Sequence, residues 1–211
     1  MANHTVVITS TAAQASGSVI ERIGLTGDLS ADLASGVITF TDADLTDTHR
    51  VVSVIPQGAG YLGSFTLGTL ADSTGGVTGS VGWTFSVPDA ALHFLAAGQT
   101  LVQSYAVTIG DFHNGPATQI VTVTLTGTND PTVIVAAATT ASGAITEQAG
   151  VTGSTVTDLA SGRIAFTDAD LTDAHRVVSV VPQGAGYLGS FTLGALADST
   201  KIGRASCRER V

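Results

Sequence analysis

Short runs of alternating apolar and polar positions fill this chain, broken every ten residues or so by Gly, Pro, Asn or Asp. Val37-Ile-Thr-Phe40, Val51-Val-Ser-Val-Ile55 and Ser64-Phe-Thr-Leu67 are β-branched or aromatic runs bounded by such turn formers. Val81, Trp83, Phe85 and Val87 alternate with small or polar residues, as do Leu101, Tyr105, Val107 and Ile109, and Val121, Val123 and Leu125 alternate with threonines. A period of two lines up alternate side chains on one face of a strand, so these segments predict antiparallel sheets with one buried face. Many short strands at this spacing predict an all-β chain built as a sandwich. Pro88–Ala97 interrupts the pattern and predicts a short helical turn, with Leu92 and Leu95 inward and Gly98 closing it. Trp83 reads as the large anchor of the core.

The pattern repeats as a whole. Residues 31–74 recur at 157–200 with six substitutions and a constant offset of 126, and the register extends back through Gly17/Gly143, Glu21/Glu147, Gly24/Gly150 and Gly27/Gly153. A period above one hundred is too long for a solenoid repeat and matches a whole domain. The expected organisation is 1–14 as the remnant of a preceding junction, 15–128 as a first sandwich, 129–132 (Asn-Asp-Pro-Thr) as a linker stiffened by Pro131, and 133–200 as a second, truncated sandwich. The second copy stops before counterparts of Trp83, Tyr105 and the last strand, which predicts an incomplete, partly exposed core. Residues 201–211 break with everything before them and hold the only lysine and the only cysteine. They resemble a translated sequencing adapter and read as an artefactual tail, with a genuine basic tail as the alternative.

Four of the eight basic and one of the seventeen acidic residues lie in that tail, so without it the formal net charge goes from −9 to −12. Such acidity argues against nucleic acid or an anionic membrane as partner and suits divalent cations. No stretch is long and apolar enough to span a bilayer, and the N-terminus shows no basic segment followed by an apolar one. Without cysteine in the repeats, a metal ion is the available staple.

Catalytic motifs are absent. Gly58-Ala-Gly-Tyr-Leu-Gly63 and its copy at 184–189 match a dinucleotide-binding fingerprint, but that motif needs a following helix, and a strand pattern follows here. No G-x-S-x-G, H-E-x-x-H or nucleophilic cysteine occurs in the repeats. His49 and His175 repeat in register, each between Asp and Arg in a turn, and read as solvated or capping. Arg50 and Arg176 read as partners of nearby Asp residues, and His113 beside Asp111 is at most half of a zinc site. The chain is therefore expected not to be an enzyme.

Several motifs in fixed order, ITFTDADLTDTH, VPQGAGYLGSFTL (as it stands in the second copy), GSVGWTFSVPDAALHFLAAGQTL, YAVTIGDFHNG and VTVTLTGTNDP, resemble the VCBS repeat of very large bacterial surface and secreted proteins. The resemblance implies tandem immunoglobulin-like or cadherin-like antiparallel β-sandwiches in an RTX-associated adhesin, exported to the cell surface or medium by type I secretion. It implies neighbouring repeats as partners, and a host or biofilm ligand met through other domains.

The acidic residues carry the candidate chemistry. Asp42/Asp44 and Asp168/Asp170 place two carboxylates at i and i+2, which on an extended backbone share a face. Calcium takes six to eight such oxygens in adaptable geometry. Asp47, Asp173, Glu21, Glu147, Asp111 and Asn129-Asp130 are further candidate donors. By likeness to cadherins, a junction site would use Glu21, Asn129, Asp130, Asp168 and Asp170. An equivalent site at the N-terminal end of the first unit would use Asp42, Asp44 and Asp111. The expected role is a calcium-rigidified spacer; the alternative is a glycan- or protein-binding module.

Overall fold

The computed structural model describes residues 3–23, 29–113, 115–198 and 203–210, the last segment as backbone. Gly24 and Gly27 of the repeat register, the end of the repeat at 199–200, and Lys201, Ile202 and Val211 of the tail lie outside the described residues. The chain is all-β and divides into two compact units, 1–129 and 130–211.

Unit 1 is a sandwich of two four-stranded sheets. One has the order β1 (Val7–Ile8), β3 (Ala31–Thr41), β6 (Gly79–Pro88), β5 (Ser64–Ala71), all antiparallel. The other has the order β2 (Ser16–Ile20), β8 (Ala117–Thr126), β7 (Thr100–Gly110), β4 (Arg50–Pro56). In that sheet β2 runs parallel to β8, with Ser16 beside Thr122 and Ile20 beside Thr126, the one parallel pair among the described strands. The alternation does what period two dictates: Val81, Trp83, Phe85 and Val87 of β6 face Val107, Ile109, Val121, Val123 and Leu125 of the other sheet in one buried cluster. Val6 belongs to that cluster and Val7 pairs with Thr41, so the segment expected to be a junction remnant is part of the first sandwich.

Trp83 sets the local rules. Its indole N–H donates to the carbonyl of Gln14 at 3.0 Å, and its ring stacks on Phe65. A Cβ on Gly36 would stand 2.6 Å from the indole and 2.4 Å from the Gln14 carbonyl, and one on Gly17 would stand 2.8 Å from it, so both positions require glycine. Pro88–Ala97 forms a single 3₁₀ turn over Asp89–Ala91, with Leu92 and Leu95 buried beneath it. The glycine-rich stretch 58–63 is a loop leading directly into β5, and the Tyr61 hydroxyl donates to the Ser104 carbonyl at 2.6 Å. Arg50 lies over the ring of Phe112 at 4.4 Å, a cation–π contact rather than the expected pairing with Asp.

Unit 2 is described by a single sheet in the order β9 (Val133–Ile134), β10 (Leu159–Thr167), β12 (Gly203–Arg210), β11 (Ser190–Ala197). This reproduces the first sheet of unit 1, with β12 of the tail in the place of β6. Cys207 pairs with Gly162 as Trp83 pairs with Gly36. Its buried apolar residues are few, Ala165 and Phe166 among those described, and Phe191 is half exposed.

Candidate functional site

Both units carry the same arrangement at the turn after a long strand, β3 in unit 1 and β10 in unit 2. β3 ends at Thr41, and the next residue, Asp42, accepts the Asp44 amide on Oδ1 at 2.8 Å. The two carboxylates thus sit on an Asx turn rather than on the extended strand expected for an i, i+2 pair. Asp42 Oδ2 lies 3.2 Å from His49 Nε2. On the other side of the ring, His49 Nδ1 lies 2.7 Å from Asp72 Oδ1, and Asp72 Oδ2 accepts the His49 amide at 3.0 Å. Phe40 packs against the ring, 5.3 Å between centroids. Burial presses the His49 pKa down, but hydrogen bonds to Asp72 and Asp42 outweigh it and hold the pKa above the ordinary value. Burial pushes Asp72 up, and the His49 amide and ring bring it below the usual carboxylate range. His49 is therefore a buried clasp, not a solvated turn residue.

Unit 2 repeats the clasp at an offset of 126. Asp168 Oδ1 accepts the Asp170 amide at 3.0 Å, and Asp168 Oδ2 lies 2.9 Å from His175 Nε2. His175 Nδ1 lies 2.9 Å from Asp198 Oδ1 and the ring packs on Phe166. Hydrogen bonds from Asp168 and Asp198 raise the His175 pKa. Sequence reading missed this function of His49, Asp72, His175 and Asp198. The signal was available, because all four recur in register.

The units differ in what faces the second carboxylate. In unit 1 the His4 amide donates to Asp44 Oδ2 at 2.5 Å, and its ring Nδ1 lies 3.0 Å from Asp44 Oδ1. These contacts, the amide foremost, hold Asp44 below the usual carboxylate range. In unit 2 the same place belongs to Asp130, whose amide donates to Asp170 Oδ2 at 2.9 Å. Asp170 is 1% exposed, and its Oδ1 has no hydrogen-bond partner among the described residues. Burial, with the charges of Asp173, Asp168 and Asp130 adding to it, pushes the Asp170 pKa up to about 6 against the opposing Asp130 amide. A buried carboxylate oxygen without a hydrogen-bond partner, in the field of three more carboxylates, is one that a hard divalent cation would neutralise, although Asp168, Asp170 and Asp173 belong to no group of three donors within 4.8 Å of one another among the described residues. Asp170 and Asp130 would hold it, while Asp168 is occupied in anchoring Asp170, His175 and the Thr132 hydroxyl.

Around the unit 1 turn, Asp111 accepts the His113 amide on Oδ1 at 2.9 Å and the Asn3 amide group on Oδ2 at 3.2 Å. Asp47, Asp111 and His113 bring one donor atom each within 4.8 Å of one another. Glu21 lies at the other end of unit 1, beside the last residue of β8. It is buried, with Oε1 2.6 Å from His93 Nδ1 and Oε2 accepting the Thr128 amide at 2.7 Å. Asn129 closes unit 1 directly after it. Glu147, the counterpart of Glu21, is exposed and lines a separate surface depression with Val151 and Asp158. The segment before it forms no strand, so nothing carries it to a comparable place. Thus Asp130, Asp170 and Asp168 are linked in unit 2 through backbone amides, Asp42, Asp44 and Asp111 gather at one end of unit 1, and Glu21 stands at that unit's opposite end.

No protein-family model matches the chain, and no curated protein is similar to it.

Proposed function

We propose that the chain is a run of structural repeat modules from a large secreted or cell-surface bacterial adhesin of the VCBS type, a spacer stiffened by calcium at its acidic turns. One observation carries this reading: the same Asp-x-Asp and histidine clasp recurs in both units at a constant offset, and in unit 2 it leaves a buried Asp170 oxygen facing like charges. Burying an unpaired carboxylate is costly, and a cation offsets that cost. The spacer role is further supported by where the aromatic side chains go. Tyr61, Phe65, Trp83 and Tyr105 pack on one another in unit 1, Tyr61 edge-on and the others stacked, instead of forming an outward platform for a sugar.

The test is thermal unfolding of the chain with calcium and with EDTA. A ligand that binds the folded form alone stabilises by mass action, about 2.7 kcal/mol at a hundredfold excess over its dissociation constant. The expected result is a midpoint several degrees higher in calcium, confined to the transition of unit 2. Coincident curves would remove calcium from the reading.

A further inference from the structure

At the end of unit 1 away from its Asp42 turn, one buried cluster ties three segments together. Arg22 follows β2, Asp32 is the second residue of β3, and Asp89 opens the 3₁₀ turn after β6. The Asp89 amide donates to the Ser30 carbonyl at 3.1 Å, just ahead of β3. Asp89 Oδ1 accepts the Arg22 amide at 2.8 Å, and the Arg22 guanidinium meets Asp32 Oδ1 at 2.7 Å. Asp89 is fully buried, and the Asp32 side chain is 12% exposed.

One oxygen of each carboxyl group is thus satisfied and the other is not. Asp32 Oδ2 and Asp89 Oδ2 are both buried without a hydrogen-bond donor among the described residues, and the two carboxyl groups stand within hydrogen-bonding reach of each other. Two ionised carboxylates so placed repel, and a buried carboxylate oxygen without a donor is costly. Charge decides what belongs between them. Arg22 offsets one of the two negative charges. The one that remains is neutralised by a single proton and overshot by a divalent cation. Glu21, beside Arg22 in the chain, is engaged elsewhere, by His93 and the Thr128 amide. Burial, and after it the hydrogen bond with Asp89, raise the Asp32 pKa above the ordinary carboxylate value against the pull of Arg22.

We infer that Asp32 and Asp89 share one proton, held in an O–H···O bridge between their Oδ2 atoms, and that this proton is an acid-set latch on unit 1. The bridge closes the end of the β3–β6 ladder, one residue past its last register pair, Ala31 with Pro88. No bond to carbon forms or breaks; the proton comes from water and returns to it. A group that holds its proton more tightly folded than unfolded adds stability that is complete below the unfolded pKa and is lost as pH rises through the folded one. This pole of unit 1 is therefore tighter in acid, and at neutral pH it carries a buried charge that Arg22 alone does not balance.

The experiment is a carbon-13 NMR titration of the aspartate carboxyls in the full chain, in EDTA, with thermal unfolding alongside. The expected result is that the Asp32 and Asp89 Cγ resonances move together in two steps, the upper one above the ordinary carboxylate range. Asp89→Asn should return Asp32 to that range or below it. Asp32→Asn puts a permanent N–H donor in the proton's place. Between about pH 4 and about pH 7 its unit 1 midpoint should fall less than that of the unsubstituted chain, by several degrees. The inference is overturned if the two carboxyls titrate independently at ordinary values, or if Asp32→Asn leaves the pH dependence of unit 1 unchanged. It is equally overturned if calcium at neutral pH raises the unit 1 midpoint of the unsubstituted chain and not that of Asp32→Asn, since the pair would then be a cation site.

Discussion

Asp170 and His4 show how one side chain decides what a turn needs from outside. Where unit 1 puts an imidazole next to Asp44, unit 2 puts the carboxylate of Asp130 next to Asp170, and the two acids move in opposite directions. A carboxyl raised to about 6 binds a proton more tightly folded than unfolded, so unit 2 without metal loses stability as pH rises from about 4 to about 6. Keeping that buried group ionised at neutral pH costs on the order of 3 kcal/mol. Asp170→Asn should therefore raise the midpoint of unit 2 in EDTA at pH 7 and abolish its response to calcium, both visible in one calorimetric series. The converse change, His4→Asp, gives unit 1 the arrangement of unit 2. It should confer a calcium-dependent midpoint on unit 1, whereas His4→Gln should not. At Gly36, Ala would meet both the indole and a backbone carbonyl, and overpacking of this kind costs about 1–3 kcal/mol; denaturant unfolding of unit 1 measures it. The acids were legible as residue types at suggestive spacing. The clasp was not, because His49 finds its partners 7 and 23 residues away, and local reading sees only an Asp-rich turn.

At the scale of elements, the strands with the cleanest alternation in the sequence are flanked on both sides within a sheet, and the edge strands β4 and β5 show only as short β-branched or aromatic runs. β6, β7 and β8 bury one complete face, so their alternation is clean. β1 is two residues long and cannot display a period. β2 hides its period because Gly17 lies where a side chain would strike Trp83. The segment Arg-Val-Val-Ser-Val-Ile/Val-Pro is the clearest lesson, being a strand in unit 1 and irregular in unit 2. Its propensity is the same in both places, and the presence of β7 is what differs. The sandwich and its repeat were thus readable from alternation alone, and the state of an edge strand was not.

At the scale of the whole molecule, charge is kept off the walls and placed at the turns. Among the strands of unit 1 only Asp32 and Arg50 are charged, and Asp32 is paired with Arg22 at 2.7 Å. The acids collect where β3, β4, β7 and β8 begin or end, and Glu21 stands at the far end of β8. A module built in this way concentrates whatever cations it meets at its two poles and leaves its flanks neutral.

The parallel pairing of β2 with β8 has a mechanical meaning. In unit 1 the chain enters through β1 and β2 and leaves through β8, so tension on the two ends slides β2 and β8 past each other along their length. Five register pairs, with the Ala15 carbonyl and the Glu21 amide continuing the ladder at either end, must then give way together instead of one after another. Stretched in an optical trap, unit 1 should rupture in a single high-force event. Unit 2, whose β2 counterpart is not paired, should extend earlier and at lower force. A tether made of closed units would bear load through this short clamp of backbone bonds.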